Sequence, residues 1–148
     1  MPERHAISFV LPALNEEGNI ARAITSVISV AEQYCSEFEV IVVDDGSTDG
    51  TAALVAAFPN PEVRLVRHIS NRGYGEALRT EFREAKLDYV FFTDADNQFD
   101  MRELALFLPW ADHVDVVAGF RINRQDSLQR RMYAWVSGRC SPAVPSRW

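Results

Sequence analysis

Asp94-Ala95-Asp96 follows directly on residues 89–93, a short apolar run that reads as a buried strand. Such a strand carries two carboxylates to the edge of a sheet, where they repel each other unless a cation lies between them. Oxygen-only ligands suit Mg2+ or Mn2+, ions that keep part of their water and share substrate phosphates. A divalent ion held there neutralises the charge that develops on a diphosphate leaving group. Asp-x-Asp is also common in surface loops, so the pair takes its meaning from the strand before it.

Asp44-Asp45-Gly46-Ser47-Thr48-Asp49-Gly50-Thr51 follows a second apolar run, residues 39–43. Thr48, Asp49 and Thr51 read as turn and helix-cap residues. Two adjacent acids at the end of a buried strand exceed what a turn needs. Asp45 reads as an acceptor for a base ring N–H or ribose hydroxyls, whereas Asp44 stays open between ligand binding and turn formation. Glu16 and Asn15 follow the first strand and are equally well explained as a first-turn acid, favourable to the helix dipole, and a cap. Asn71-Arg72-Gly73-Tyr74-Gly75 resembles a phosphate-cradling loop, but it lacks the third glycine and the position of a dinucleotide fingerprint. It reads as a turn beside the site. Arg121, which opens a cluster with Arg124, Arg130 and Arg131, reads as a phosphate contact, because guanidinium forks match diphosphate oxygens. The alternative for any one of them is a solvated face.

These residues need a scaffold that gathers them. Strand-like runs at 6–11, 39–43, 63–66, 89–93 and 114–118 alternate with helical patterns. Ile20, Ala23, Ile24, Val27, Ile28 and Ala31 form one apolar stripe at helical spacing. Helices are expected from Thr48 or Asp49 through Phe58, from Gly75 to Ala85 and, shorter, from Met101 to Leu108. The alternation predicts an α/β fold, a mostly parallel sheet with helices on both faces in three layers. Right-handed crossovers then bring every strand's C-terminal end to one edge, where ligands of open α/β sheets bind.

The 148 residues fit one ordinary domain, and 47% hydrophobic with 24% charged residues fits a globular protein. Residues 1–120 carry nine basic and twenty acidic side chains, net −11, while 121–148 carry six Arg and one Asp, net +5. The acidic body argues against nucleic acid as a partner. Cys35 and Cys140 read as two reduced thiols, and no secretion leader is visible.

The set Pro12-x-x-Asn15-Glu16, Val43-Asp44-Asp45-Gly46-Ser47-x-Asp49-Gly50-Thr51, Asn71-x-Gly73-x-Gly75-x-Ala77, Asp94-Ala95-Asp96-x-Gln98 and Gly119-x-Arg121 resembles family 2 glycosyltransferases of the GT-A fold. The branch it looks most like is the dolichyl- or polyprenyl-phosphate mannose and glucose synthases, and the match spans about residues 6–131. The resemblance implies transfer of a sugar, with inversion, from GDP- or UDP-hexose to a lipid phosphate. It implies that Pro12, Leu14, Glu16 and Val43 line the nucleotide pocket and that Asp45 contacts base or ribose. Asp94, Asp96 and Gln98 would hold the Mg2+ or Mn2+ and the diphosphate, with Ala95 beside them against the nucleotide sugar, Asp94, Asp96 and Arg121 catalytic, and Arg131 on phosphate. Leu14 stands where the branch commonly has Tyr, which implies the loss of a ring contact to the base.

The family's catalytic region runs further than this chain. The expectation is therefore a GT-A domain over 1–136, short on its acceptor side, with a disordered tail over 137–148. Alternatives are an inactive donor-binding fragment or a transferase acting on a polysaccharide. Residues 121–136 interleave Arg with Leu128, Met132, Tyr133 and Trp135, a pattern able to lie on an anionic membrane from the cytoplasmic side and equally able to form a helix covering the active site. A receiver domain is disfavoured because Arg67-His68 stands where the phosphoacceptor Asp would be. An oxidoreductase is disfavoured by the missing fingerprint.

Overall fold

The computed structural model describes residues 4–97 and 99–119. The chain divides into two compact units, Met1–Asp115 and Val116–Trp148. All regular elements among the described residues lie in the first: β1 (His5–Ala13), α1 (Ile20–Tyr34), β2 (Cys35–Asp44), α2 (Thr51–Ala56), β3 (Val63–Arg67), α3 (Tyr74–Glu84), β4 (Tyr89–Phe92) and α4 (Leu104–Phe107). Single 3-10 turns, Met101–Glu103 and Leu108–Trp110, flank α4.

The strands form one parallel sheet in the order β3-β2-β1-β4. Parallel neighbours cannot be joined by a tight turn, so the helices supply the crossovers. Side chains alternate between the two faces, and both faces are apolar. Ile7, Phe9 and Leu11 of β1 and Val40 and Val42 of β2 pack with Ile20, Ile24 and Val27 of α1 and with Val55, Met101 and Leu104. Val10, Ile41 and Val43 pack on the other side with Ala77 of α3. Each such side chain taken from water contributes about 1.5–3 kcal/mol, which is why the strands read as continuous apolar runs. On α1 the buried stripe runs as expected except that Val30 is buried and Ile28 half-buried.

The expected fifth strand is not formed. Residues 114–119 have no strand structure, and Val114, Val116 and Val117 are exposed. Three valines favour a strand only where a neighbouring ladder and a covering layer complete it, since β-propensity is mostly a matter of context. Helix α2 also stops at Ala56, short of Phe58.

All four strands end on the same edge, so residues 12–17, 44–51, 68–75 and 93–97 meet there. The chain runs outward from β1 through β2 to β3, then returns to lay β4 on the other flank of β1. The crevice at this reversal, beyond the ends of β1 and β4, is where open α/β sheets take ligands.

Gly46 makes the close approach of two of these loops possible. Its φ is +79°, and a Cβ there would come within 2.6 Å of the backbone of Ser70 and Asn71. Gly46→Ala is expected to cost about 2–4 kcal/mol in urea denaturation, from left-handed backbone strain and the forced separation of the loops. A loss below about 0.5 kcal/mol, the level of an ordinary surface change, would show that the 70–71 segment is not held against β2.

Candidate functional site

The ends of β1 and β2 are laced together side by side. Asn15, in the left-handed region at φ 56°, donates its backbone N–H to Ser47 Oγ at 2.9 Å, and its Oδ1 accepts from the Thr48 amide at 2.9 Å. The Glu16 amide donates to Thr51 Oγ1, and the Gly50 amide to Glu17 Oε2. Asp49 accepts from the Thr51 amide at the start of α2. Thr48, Asp49 and Thr51 thus serve the turn and the helix start.

The two acids ending β2 point to different sides, as pleating requires. Asp44 is fully buried. Its Oδ1 accepts from the Ser47 amide at 3.0 Å, and Arg67 Nε stands 3.0 Å from Oδ2 as an ion pair whose geometry falls short of a hydrogen bond. Asp44 therefore builds the turn. Asp45, also buried, accepts from three donors: His68 Nδ1 at 2.6 Å and the Arg72 amide at 2.9 Å on Oδ1, and the Gly73 amide at 2.8 Å on Oδ2. Burial pushes its pKa up, but these hydrogen bonds and the neighbouring His68 outweigh burial and hold it below the usual carboxylate range. His68 reaches further, its Nε2 lying 2.9 Å from Thr80 Oγ1 on α3.

Beyond β4, Asp94 and Asp96 are half-buried and Ala95 is buried. Tyr74, at the start of α3, lies near Asp94. Burial first, and then the charges of Asp94 and Glu81, raise the Tyr74 pKa. Asn97, at φ 58°, donates its side-chain amide to the Asn19 carbonyl ahead of α1 at 3.1 Å. The post-β4 loop is thereby tied to both helical layers. Glu81 is fully buried on α3, and neither carboxyl oxygen has a hydrogen-bond partner. Burial first, and the nearby Asp94 charge second, push its pKa up to about 8.

Of the expected site residues, Pro12 and Glu16 are half-buried at this edge and Leu14 is exposed. Val43 is buried in the core against α3, so only its backbone can face a ligand. Gln98, Arg121 and Arg131 lie outside the described residues. No group of three or more His, Cys, Asp or Glu side chains gathers as a metal site among the described residues. Asp94 and Asp96 are hard oxygen donors on one loop with a buried carboxyl nearby. That set fits Mg2+ or Mn2+ provided water and phosphate complete the coordination.

A family model described as glycosyl transferase family 2 matches residues 8–143. The chain belongs to that family. An undecaprenyl-phosphate 4-deoxy-4-formamido-L-arabinose transferase from Pectobacterium carotovorum is 36% identical over 130 residues, 85% of this chain and 40% of that protein. The chain thus spans about 40% of the length of such family 2 relatives. A mannosyltransferase from Pyrobaculum calidifontis, solved with GDP-Man and Mn2+, superposes with a TM-score of 0.60 at 32% identity, covering 70% of this chain and 31% of that one. Glucosyl-3-phosphoglycerate synthase from Mycobacterium tuberculosis, solved with Mn2+, UDP and glucosyl-3-phosphoglycerate, superposes with a TM-score of 0.64 at 28% identity, covering 90% of this chain and 51% of that one. The fold is the GT-A α/β fold of these transferases.

Sequence reasoning missed His68, Tyr74, Thr80 and Glu81. His68 directly follows β3, the same position after a strand that singled out Asp45 and Asp94. Glu81 lies four residues beyond Ala77, on the same buried face of α3, where an acid is out of place.

Glu81 gives a pH signature. Below the usual 4.5 the group is neutral folded or unfolded; between 4.5 and about 8 only the unfolded chain ionises it, so stability falls as pH rises and levels off above about 8. In chelator, the stability of wild type relative to Glu81→Gln should therefore fall by roughly 3–5 kcal/mol over that window, read from urea melts at several pH values. Parallel profiles for the two proteins would show that Glu81 ionises normally.

Proposed function

We propose that this chain forms the nucleotide-sugar-binding part of an inverting, cation-dependent glycosyltransferase that transfers a sugar to polyprenyl phosphate. The observation that carries this reading is the fall of Asp45 and the Asp94–Asp96 pair at the ends of β2 and β4, on either side of β1 at the reversal of strand order. Family membership and the undecaprenyl-phosphate relatives support the acceptor. The GDP-Man, UDP and Mn2+ of the structural relatives support a nucleoside diphosphate donor and a divalent ion.

Asp45 contacts base or ribose through the acceptor direction its three bonds leave open. Pro12, Leu14 and Glu16 line the pocket, with the Val43 backbone beneath. Asp94 and Asp96, joined by Gln98, hold Mg2+ or Mn2+ together with the diphosphate. When bound, the ion neutralises the charge of the departing nucleoside diphosphate. Arg121 and Arg131 contact phosphate. A phosphate oxygen of the acceptor attacks the anomeric carbon, the bond from that carbon to the diphosphate oxygen breaks, and the electron pair leaves with the nucleotide. The acceptor oxygen is already ionised, so positioning and electrostatics replace a strong base. Among the described residues no helix is long and apolar enough to cross a membrane. The 121–136 segment is the proposed peripheral contact, on the cytoplasmic face.

Calorimetry tests the donor site. GDP or UDP should bind wild type only with Mn2+ or Mg2+, and Asp96→Ala should weaken that binding by about tenfold or more, as expected when one of few protein ligands is lost. Equal affinity in chelator would refute the role of the cation.

A further inference from the structure

We infer that His68 is a positioning residue for the nucleotide: it fixes the rotation of the Asp45 carboxylate, so that Asp45 clamps the 71–73 loop and keeps a single acceptor direction for the donor. The inference rests on the donor-site reading above.

The ring of His68 has little freedom. It is buried, and its backbone N–H donates to the Asp44 carbonyl at 2.9 Å, continuing the β2–β3 ladder. Asp45, held ionised, can only accept, so Nδ1 carries the hydrogen of the 2.6 Å contact. Nε2 lies 2.9 Å from the Thr80 hydroxyl, which ties the ring to α3. A carboxylate offers about four acceptor directions. His68 and the Arg72 amide take both on Oδ1, and the Gly73 amide takes one on Oδ2. Gly73 meets this geometry at φ +89°. The next residue, Tyr74, lies near Asp94. His68 thus sits at one end of a chain of contacts, Thr80–His68–Asp45–Gly73–Tyr74–Asp94, that joins the two acidic ends of the site. Without it, Asp45 can rotate away from the loop amides and present either oxygen to a ligand.

Three measurements on the whole chain test this. His68→Leu removes the donor, and His68→Asn restores an amide N–H near the position of Nδ1 without reaching Thr80. His68→Leu should weaken binding of GDP–Mn2+ or UDP–Mn2+ by about tenfold or more, as expected for a lost hydrogen bond to a charged group. It should also speed amide exchange selectively at Arg72 and Gly73. His68→Asn should recover most of both effects. Thermal melts identify any variant that has simply unfolded, and His68→Asn then carries the comparison. Unchanged exchange at Arg72 and Gly73 in a folded His68→Leu overturns the positioning role. Equal losses in Leu and Asn variants, tracking the melting temperature, overturn it in favour of general stabilisation. Failure of wild type to bind either nucleotide overturns the donor reading instead, while the exchange arm still decides whether His68 holds the loop.

Discussion

A carboxylate withdrawn from water must be compensated by donors, and Asp45 finds three of them on segments that are distant in sequence. That demand organises the edge of the sheet. Because the carboxylate must be satisfied, the β3–α3 connection is drawn down over the end of β2. Because the connection comes that close, residue 46 can have no Cβ. Because its path turns at Gly73, α3 begins where Tyr74 can reach Asp94. The positions of the later loops follow from one buried charge and the parallel ladder that delivers it.

The same edge concentrates acids, and each is stabilised differently. Asp44 is absorbed by a turn amide and an Arg67 ion pair. Asp45 is absorbed by hydrogen bonds strong enough to outweigh burial. Glu81 has neither, and burial leaves it favouring the neutral form near neutrality. Asp94 lies between Tyr74 and this unsatisfied acid. A divalent cation is favoured where carboxylates are gathered in this way.

Much of this was legible in the sequence, because four of the five apolar runs are strands buried in a parallel sheet and the residues just after them are limited to one edge. The position of Asp94 and Asp96 just after β4 was legible in this way. What pleating decides was not legible: Asp44 and Asp45 are chemically identical neighbours, and only the structure turns one into the turn and the other towards the loop. His68 was read only against a different fold, since a histidine acquires meaning from the two groups its ring nitrogens meet, one of them twelve residues away on a helix. The 114–118 run failed as a strand for a related reason, because propensity does not supply a ladder partner. Glu81 violated the apolar pattern of α3 in plain sight, but a single acid on a helix gives no hint of how deeply it is buried.

The sparseness of the proposed cation site has a consequence for how the ligands bind. With Asp94 and Asp96 as the carboxylates at the end of β4 and no cluster of three acids or histidines among the described residues, the protein alone satisfies only a small part of a six-coordinate ion. In the proposed site the diphosphate would complete the shell, and the ion would neutralise the diphosphate against the acidic edge. Each ligand therefore improves the site for the other, and by linkage the factor by which Mn2+ tightens nucleotide binding equals the factor by which nucleotide tightens Mn2+ binding. A cage of many carboxylates would hold the ion by itself and leave the nucleotide little to add.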